Sequence, residues 1–483
     1  MNYDNLTLLT DFYELTMMNG YLQSGMQSRR AVFDMFYRKN PSGNGYAIAA
    51  GLEQVIDYIE NLKFSPEDIE YFASLNSFTP DFLEYLKNFR FTGDVYAVKE
   101  GTVVFPYEPL VRVSAPIMEA QLIETALLTI INHQSLIATK ASRVVWAAAG
   151  DAVLEFGLRR AQGPDAGIYG ARAAIIGGCA ATSNTLTGRM FNVPIKGTHA
   201  HSWVMSFPDE LTAFRRYAEL FPNACTLLVD TYDTLKSGVP NAITVFKEMK
   251  ERGVPLTSYG IRLDSGDFAY LSKKARAMLD SAGFTTAIIS ASSDLNENLI
   301  QDLKLQGAKI TLWGVGTQLI TSDDCPAFGG VYKISAQEDE FGVIQPKIKL
   351  SENPEKVTLP GIKKVFRLYS AETCKAKADL IALEHETIDE AKSLTIFDPV
   401  NTWKKMTLNP GEYFARELLI PIFVNGKKVY NSPKVSEIKA FRQRDLDSFW
   451  DEHKRLVNPQ SYYVDLSDEL YSLRAKLISQ IRG

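Results

Sequence analysis

The chain has little cysteine for its length. Its four cysteines, Cys179, Cys225, Cys325 and Cys374, are far apart in 483 residues and form no CxxC pair. This spacing argues against a disulfide scaffold and a cysteine-based zinc site, and it predicts a reducing compartment, the cytoplasm. No uncharged apolar run approaches the roughly 20 residues of a membrane span, so we expect no membrane segment.

Several common functional signatures are also missing. The sequence contains no GxxxxGK[ST] loop and no HExxH motif, which argues against a Walker-type nucleotide site and a zinc hydrolase. The net charge of −5 argues against a dedicated nucleic-acid-binding protein, although it does not exclude an anionic substrate. A hydrophobic fraction of 46% indicates an ordinary globular chain with a large core.

The pattern of residues changes twice along the chain. We predict an N-terminal α+β region at 1–139, an α/β region carrying the active site at 140–335, and a distinct C-terminal region at 336–483. The middle region alternates short apolar runs with helical stretches. The candidate strands are Ala152–Phe156, Val193–Lys196, Thr226–Val229, Ser258–Ile261, Ala287–Ser290, Lys309–Leu312 and Gly330–Ile334. The candidate helices are Tyr169–Ala181, Glu210–Phe221, Ala242–Glu251, Ser272–Ala282 and Asn296–Leu305.

Strand–helix alternation predicts parallel pairing with right-handed crossovers. Seven candidate strands favour an irregular (β/α) barrel, with an open doubly wound sheet as the alternative. The fold class is therefore α/β for the middle region, with α+β regions on either side of it along the chain.

Polar, glycine-containing segments follow the candidate strands. They are GLRRAQGPD after Phe156, GTHAH after Lys196, DTYD after Val229, RLDSGD after Ile261, ASSD after Ser290 and WGVGT after Leu312. Each segment alone is weak evidence for a functional site, because a turn before a helix often contains Gly, Asp and Ser for capping. Six in register are harder to explain that way, since the carboxyl ends of parallel strands share one face of a barrel.

The chemical character of these segments suits a phosphorylated sugar. Arginines such as Arg159 and Arg262 can hold a carboxylate or phosphate, and the backbone N–H groups and hydroxyl of Gly316–Thr317 suit a phosphate. The carboxylates Asp230, Asp264, Asp267 and Asp294 can hold ribose hydroxyls or Mg²⁺.

Two of the five histidines, His199 and His201, lie in the segment KGTHAHSWVMSF. A histidine after a strand can act as a base, a phosphoryl acceptor or a metal ligand. A lone histidine is more often structural, but the small-residue turn Gly197–Thr198 and the neighbouring polar segments favour a functional role here.

Six motifs in this order resemble the nicotinate phosphoribosyltransferase family. They are LLTDFYELTM, EFGLRRAQGPD, GTHAHS, DTYDT, GIRLDSGD and GVGT, and the resemblance covers almost the whole chain from Leu8. It implies an irregular α/β barrel, a second domain made from both chain ends, and a homodimer. It also implies a reaction in which nicotinate and phosphoribosyl pyrophosphate give nicotinate mononucleotide and pyrophosphate, with ATP as co-substrate and Mg²⁺ as cofactor.

The resemblance also assigns roles to individual residues. His201 is implied to be a phosphohistidine that couples ATP hydrolysis to the reaction, with Asp230 and Asp264 as the other catalytic residues. Implied substrate-binding residues are Tyr13, Arg159, Thr198, Arg262, Ser293, Asp294, Gly316 and Thr317. The role of His199 and the identity of the Mg²⁺ ligands stay open.

Two other functions are kept as alternatives. An enzyme of the same fold could use nicotinamide or quinolinate, because related enzymes carry arginines in the same barrel. A barrel could also bind a phosphosugar without catalysis, since a fold alone does not fix function.

Overall fold

A computed structural model describes residues 5–482 of the chain. The chain divides into two compact units. One extends to Leu136 and resumes at Ala327, and the other is Ile137–Pro326. The division at Leu136 falls inside the long helix Glu124–Ala147. Over residues 5–482, no helix is both long enough and apolar enough to cross a bilayer.

The unit formed from both chain ends is a mixture of helices and mostly antiparallel sheets. Its largest sheet has the strand order Ile344–Pro346, Gly330–Glu338, Arg30–Tyr37, Val111–Pro116, Asp94–Val98, Leu419–Val424 and Lys427–Lys428. A second sheet has the order Tyr413–Glu417, Lys363–Ser370, Ala376–Leu383 and Tyr463–Leu466. Two small sheets pair Ala47–Ile48 with Val103–Val104 and Leu394–Phe397 with Lys405–Leu408. Its helices include Phe12–Gln23, Leu52–Glu60, Pro66–Ser74, Pro80–Lys87, Ile117–Leu122, Val435–Asp447, Asp451–Lys454 and Asp468–Arg482.

The unit Ile137–Pro326 is built on one parallel sheet. Its strand order is Ala181–Thr182, Ala152–Glu155, Leu312–Val315, Ile288–Ser293, Tyr259–Leu263 and Cys225–Leu228. Its helices include Pro164–Ile176, Thr185–Phe191, His201–Met205, Glu210–Leu220, Val239–Glu251, Phe268–Ser281, Glu297–Leu305 and Thr317–Ile320. A π-helical turn, Thr234–Gly238, precedes Val239–Glu251.

The strand order identifies this sheet as part of a barrel. The last strand, Leu312–Val315, pairs in parallel with the first, Ala152–Glu155, as barrel closure requires. Within the described residues, the edge strands Ala181–Thr182 and Cys225–Leu228 do not pair with each other, so the sheet is a half-barrel that opens between them. The predicted fold class, an irregular α/β barrel with a second α+β domain from both chain ends, is confirmed.

Three of the seven predicted strands are wrong in detail. Lys309–Leu312 is placed three residues too early, since the observed strand is Leu312–Val315. Val193–Lys196 contributes only a single bridge, between Ile195 and Thr182, because Pro194 has no N–H to donate to a ladder. Gly330–Ile334 lies in the longer strand Gly330–Glu338, which pairs antiparallel with Arg30–Tyr37 in the other unit.

One parallel strand was missed inside a predicted helix. The helix expected at Tyr169–Ala181 ends at Ile176, and Gly178 then takes φ of 118°, a conformation that favours glycine. This turn lets the chain enter the short strand Ala181–Thr182.

Side-chain caps begin several of the helices that follow the parallel strands. Asp209, Asp267 and Asn296 accept hydrogen bonds from the backbone N–H groups of Thr212, Tyr270 and Leu299, respectively. Asp267, which the sequence offered as a ribose or metal ligand, is therefore occupied as a helix cap.

Candidate active site

The predicted site residues of the α/β unit follow the carboxyl ends of its parallel strands. Arg159 follows Ala152–Glu155, Asp230 follows Cys225–Leu228, and Asp264 follows Tyr259–Leu263. Ser293 ends the strand Ile288–Ser293, and Gly316–Thr317 follow Leu312–Val315. Since the strands are parallel and adjacent, all these residues lie at the same edge of the sheet.

Arg262 lies near the carboxyl end of the strand Tyr259–Leu263 and is held by three side chains. Its Nε donates to the Ser292 hydroxyl at 2.7 Å, and its Nη1 donates to the Thr198 hydroxyl at 2.8 Å. Its Nη2 donates to Asp264 Oδ1 at 2.8 Å. Such a network fixes the plane of the guanidinium before any ligand arrives, which is the requirement for oriented recognition of a carboxylate or phosphate.

Asp264 joins this arginine to His201. Its other carboxylate oxygen, Oδ2, lies 3.6 Å from His201 Nε2. Burial alone would raise the pKa of Asp264, but the Ser292 hydrogen bond and the Arg262 charge outweigh burial and lower it. Asp264 is therefore a carboxylate at neutral pH, and the His201 imidazole faces a negative charge.

His201 is accessible and has defined contacts on both ring nitrogens. Its side chain is 40% exposed, and its Nδ1 lies 3.2 Å from the Thr231 hydroxyl. The Thr231 hydroxyl can donate or accept, so it can satisfy either neutral tautomer. Each neutral tautomer leaves a lone pair on one nitrogen, which is the requirement for a nucleophilic imidazole.

Asp230 is oriented by the neighbouring turn. Its Oδ2 accepts the backbone N–H of Asp264 at 2.8 Å and the hydroxyl of Ser265 at 2.7 Å. Its Oδ1 is buried and has no hydrogen-bond partner within residues 5–482. A buried carboxylate oxygen without a partner is a suitable ligand for a hydroxyl or a hard cation.

His199 has a structural environment that sets it apart from His201. It is buried against the rings of Phe214 and Tyr217, and its Nε2 accepts the backbone N–H of Leu228 at 3.2 Å. Burial lowers the pKa of His199 to about 4. The imidazole is therefore neutral, and its contacts are with packed rings and the backbone of a strand.

Comparisons with known proteins match one enzyme family over nearly the whole chain. The nicotinate phosphoribosyltransferase family model matches residues 152–368. Models of the N-terminal and C-terminal domains of nicotinate phosphoribosyltransferase match residues 8–132 and 362–474. A curated nicotinate phosphoribosyltransferase from Bacillus subtilis (strain 168) is 49% identical over 99% of this chain and 96% of its own length. The chain belongs to the nicotinate phosphoribosyltransferase family.

More distant members support the same assignment. The human nicotinate phosphoribosyltransferase is 32% identical over 96% of this chain and 95% of its own. The crystal structure of human nicotinic acid phosphoribosyltransferase matches with a TM-score of 0.84 and 30% identity, covering 97% of this chain and 99% of that one. A nicotinate-nucleotide pyrophosphorylase structure from Pyrococcus furiosus, 22% identical with a TM-score of 0.69, covers 93% of this chain and 97% of that one and shares the fold.

The sequence alone predicts no role for two further polar residues at this strand edge, although both lie in its candidate segments. Ser292 bridges Arg262 and Asp264. Glu155 is fully buried at the end of its strand and accepts the Gly157 N–H and, at 2.6 Å, the Thr182 hydroxyl. Burial raises the pKa of Glu155. The sequence did carry a signal for Glu155, which is a charged residue at the end of an apolar strand. Such a residue needs polar partners when it is buried, so its position predicts a polar site nearby.

The predicted phosphosugar residues are largely open to solvent. Arg159 is exposed and has no ion pair in the described part of the chain, so its guanidinium is available to an anion. Ser293 and Asp294 are exposed, and Ser293 has φ of 124°, which is strained for a residue with a side chain. A side chain at Gly314 would meet the ring of Phe156 at 2.7 Å, so glycine is needed there.

Tyr13 belongs to the unit formed from both chain ends. It lies in the first turn of the helix Phe12–Gln23 and is 47% exposed. Partial burial, and then the neighbouring Glu124 and Glu14 carboxylates, raise its pKa, so it carries a neutral hydroxyl. The next residue, Glu14, is buried, and burial raises its pKa to about 7 despite hydrogen bonds from Thr10 and Thr125.

Proposed function

We propose that this chain joins nicotinate to phosphoribosyl pyrophosphate, giving nicotinate mononucleotide and pyrophosphate. The observation that carries the proposal is the guanidinium of Arg262, held by Thr198, Ser292 and Asp264 at the strand edge. Membership of the family, shared with the Bacillus subtilis and human enzymes of that name, supports the same reaction. The product makes the enzyme part of pyridine nucleotide and NAD synthesis.

The reaction makes limited demands on the protein. The pyridine nitrogen of nicotinate already carries a free lone pair, so its attack on the ribose needs no general base. The protein must hold the two substrates in line and stabilise positive charge on the ribose and negative charge on the departing pyrophosphate. The exposed edge of the parallel sheet offers residues suited to each of these tasks.

Arg262 and Thr198 are proposed to bind the nicotinate carboxylate. The remaining N–H capacity of a guanidinium suits a carboxylate, whereas a neutral amide would bring further donors toward a cation. Tyr13 is retained as a predicted nicotinate contact on the family resemblance alone. Its neutral ring is of the kind that stacks on a pyridine.

A second set of residues is proposed to bind the phosphosugar. Arg159 is an exposed cation without an ion pair in the described chain, and Gly316–Thr317 present backbone and a hydroxyl after a strand. Ser293 and Asp294 lie at the neighbouring strand end. The proposed catalytic carboxylates, Asp230 and Asp264, would stabilise positive charge on the ribose.

The site fits Mg²⁺ held jointly with a substrate. No cluster of three or more His, Cys, Asp or Glu side chains that could hold a metal occurs in residues 5–482. Magnesium in phosphate-processing sites commonly uses one or two carboxylates plus substrate oxygens. Asp230, whose buried Oδ1 has no partner in the same range, and Asp264 would hold it. When bound, Mg²⁺ would neutralise charge on pyrophosphate.

We further propose that ATP phosphorylates His201. In this step a ring nitrogen forms a bond to the terminal phosphorus of ATP, the phosphoanhydride bond breaks, and ADP leaves. The exposed imidazole with Thr231 at one nitrogen and Asp264 near the other supports the proposal. A phosphorylated His201 would place negative charge beside Asp264 and thereby alter the charge balance around Arg262.

The proposal includes a homodimer in the cytoplasm. The family resemblance implies the dimer, and the four cysteines, none of which forms a disulfide, are compatible with a reducing compartment. Light scattering of the purified chain would test the dimer, and a fractionation of its host cells would test the compartment.

The function is tested by offering the chain nicotinate, nicotinamide or quinolinate together with phosphoribosyl pyrophosphate and Mg²⁺, with and without ATP. We expect nicotinate mononucleotide to form, faster with ATP, and the other two bases to react far more slowly. If nicotinamide or quinolinate reacts while nicotinate is inert, the substrate assignment is wrong. If none of the bases reacts but phosphosugar binds, the binding-only alternative holds.

A further inference from the structure

The unit formed from both chain ends contains a cleft of about 790 Å³ that is unrelated to the parallel sheet. Four segments of this unit line it: residues 40–45, 105–107, 398–404 and 458–465. A mainly apolar cavity of about 460 Å³, whose lining also includes Glu355 and Arg474, shares Tyr107, Pro399, Val400 and Val464 with it. The two spaces could therefore accept a ligand that has a polar end and an apolar body.

Asp465 is the most unusual residue of the cleft wall. It is 4% exposed, and its carboxylate has no hydrogen-bond or ion-pair partner within residues 5–482. Burial and the nearby charge of Asp398 raise its pKa to about 6. A buried carboxylate is costly without a partner, so this wall is prepared for a group that carries positive charge or donates hydrogen bonds.

The rest of the lining favours a flat organic cation. The half-buried rings of Tyr107 and Tyr462 line the cleft, and the buried Phe105 ring stacks beneath Tyr462 with ring centroids 4.0 Å apart. Asn44 also lines the cleft, is nine-tenths buried, and its Oδ1 has no hydrogen-bond partner in the described chain. Aromatic faces and carbonyl oxygens both attract cationic groups.

Other ligand classes fit less well. The acidic residues of the lining, Asp398 and Asp465, outnumber its one cation, Lys404, which disfavours phosphates and carboxylates. Asp398 already accepts the backbone N–H groups of Val400 and Asn401. The cleft therefore lacks the set of free carboxylates that a divalent metal would need.

We propose that this cleft binds a small organic cation, an amidinium or primary ammonium group on a flat apolar body. The charged group would pair with Asp465, and the apolar body would lie against Tyr107 and Tyr462. The site is separate from the proposed transferase chemistry and does not depend on it.

The first test varies the charge of the ligand and leaves the protein unchanged. Benzamidinium, benzamide and benzoate have the same ring and differ in charge, and each is titrated into the full chain at pH 7.5 by calorimetry, with saturating nicotinate present so that the Arg262 site is already filled. We expect benzamidinium to bind at least tenfold more tightly than benzamide, with benzoate weakest. Equal binding of the three, or tighter binding of benzoate, overturns the proposal.

The second test locates the site. Asp465→Asn, which preserves shape, is expected to weaken benzamidinium binding at least tenfold. Asp389→Asn, which removes an exposed acid paired with Lys392 in the same unit, is the matched control and should leave binding unchanged. Unaltered binding to a folded Asp465→Asn variant overturns the proposal.

Lys404→Glu keeps the proposal testable even if Asp465→Asn does not fold. Lys404 is exposed, so its replacement does not disturb the core. Reversal of this charge is expected to tighten benzamidinium binding severalfold. No change, or weaker binding, places the cation elsewhere and overturns the assignment.

Discussion

His199 accepts a hydrogen bond from the backbone N–H of Leu228 at 3.2 Å. Leu228 ends a parallel strand, so this bond ties the histidine segment to the sheet. His201, two residues later, has no such backbone donor on either ring nitrogen in the described structure and is 40% exposed. One histidine thus anchors the segment, and the other is presented to solvent.

His199→Leu is expected to destabilise the chain. The change leaves the Leu228 N–H without its acceptor, which costs about 1–3 kcal/mol. The measurement is urea unfolding at pH 7.5. His385→Leu, at an exposed histidine, is the control and should change the free energy of unfolding by less than about 0.5 kcal/mol. Equal stability of His199→Leu and wild type would contradict the anchoring role.

The destabilisation by His199→Leu should also depend on pH. The pKa of His199 is about 4 in the folded chain and the ordinary value for histidine is 6.5, so between these values the unfolded chain binds more protons. Wild type therefore loses stability as pH falls through this range, whereas leucine does not titrate. The difference between the two proteins should shrink by about 2 kcal/mol from pH 7.5 to pH 5. A constant difference would show that His199 titrates normally.

His201→Ala is expected to abolish ATP stimulation while retaining slow synthesis of nicotinate mononucleotide. Without the imidazole there is no proposed phosphoryl acceptor, but Arg262 and its partners remain in place. Rates with and without ATP, and acid-labile labelling by [γ-³²P]ATP, are measured. His385→Ala, an exposed histidine of the other unit, should keep both properties. Full labelling of His201→Ala would place the phosphoryl group on another residue.

Arg262→Lys is expected to lower kcat/KM for nicotinate by roughly 10- to 100-fold, the range for loss of a charge-assisted hydrogen bond. An ammonium group cannot reproduce the planar contacts with Thr198, Ser292 and Asp264. Steady-state kinetics with varied nicotinate measures the effect. Arg215→Lys replaces an exposed arginine paired with Glu248 and is the control. If Arg262→Lys has unaltered kinetics, Arg262 does not bind the nicotinate carboxylate.

Much of the parallel sheet was predictable because its pattern is local. Short apolar runs followed by Gly, Asp and Ser predicted four of its strands closely and a fifth, Leu312–Val315, three residues too early. The shared edge of parallel strands predicted that Asp230 and Asp264 lie together. The pairing of Gly330–Glu338 with Arg30–Tyr37 was not predictable, since the partners are about 300 residues apart and nothing local specifies the match.

The individual roles at the site were harder to predict than its location. The local pattern places His199 and His201 in equivalent settings; the family resemblance separated them, and the fold adds that one faces Leu228 and the other faces solvent. The sequence placed Ser292 in the polar segment ASSD without a role, because its contact with Arg262 depends on the register of neighbouring strands. Spacing along the chain carries no information on such lateral contacts.

Ser293→Gly is expected to stabilise the chain and weaken the phosphosugar site. Glycine adopts φ of 124° without the steric cost that serine has there, so the substitution should raise the free energy of unfolding by about 1 kcal/mol. Loss of the hydroxyl should raise KM for phosphoribosyl pyrophosphate. Asn192→Gly, where asparagine takes φ of 50°, is the control and should change both quantities less. A stabilised variant with unchanged KM would exclude Ser293 from substrate binding.

Glu108→Gln is expected to stabilise the chain, increasingly so at higher pH. Glu108 is 1% exposed, and burial and then the adjacent Asp379 raise its pKa well above the ordinary range. Its Oε2 accepts the Phe105 N–H at 3.0 Å. Its Oε1 accepts no hydrogen bond in the described chain. When Glu108 is protonated, it can donate a hydrogen bond to Asp379. The folded chain therefore keeps a proton on Glu108 that the unfolded chain releases above its ordinary pKa.

This difference makes wild-type stability fall as pH rises above about 4.5, until the folded pKa is reached. Glutamine carries a permanent donor at the same position and avoids the loss. Urea unfolding of both proteins at pH 5 and pH 8 measures the effect, with Glu84→Gln, at an exposed residue paired with Lys87, as the control. A stability difference that does not grow between pH 5 and pH 8 would mean that Glu108 is ionised in the folded chain, with its charge balanced by Arg367.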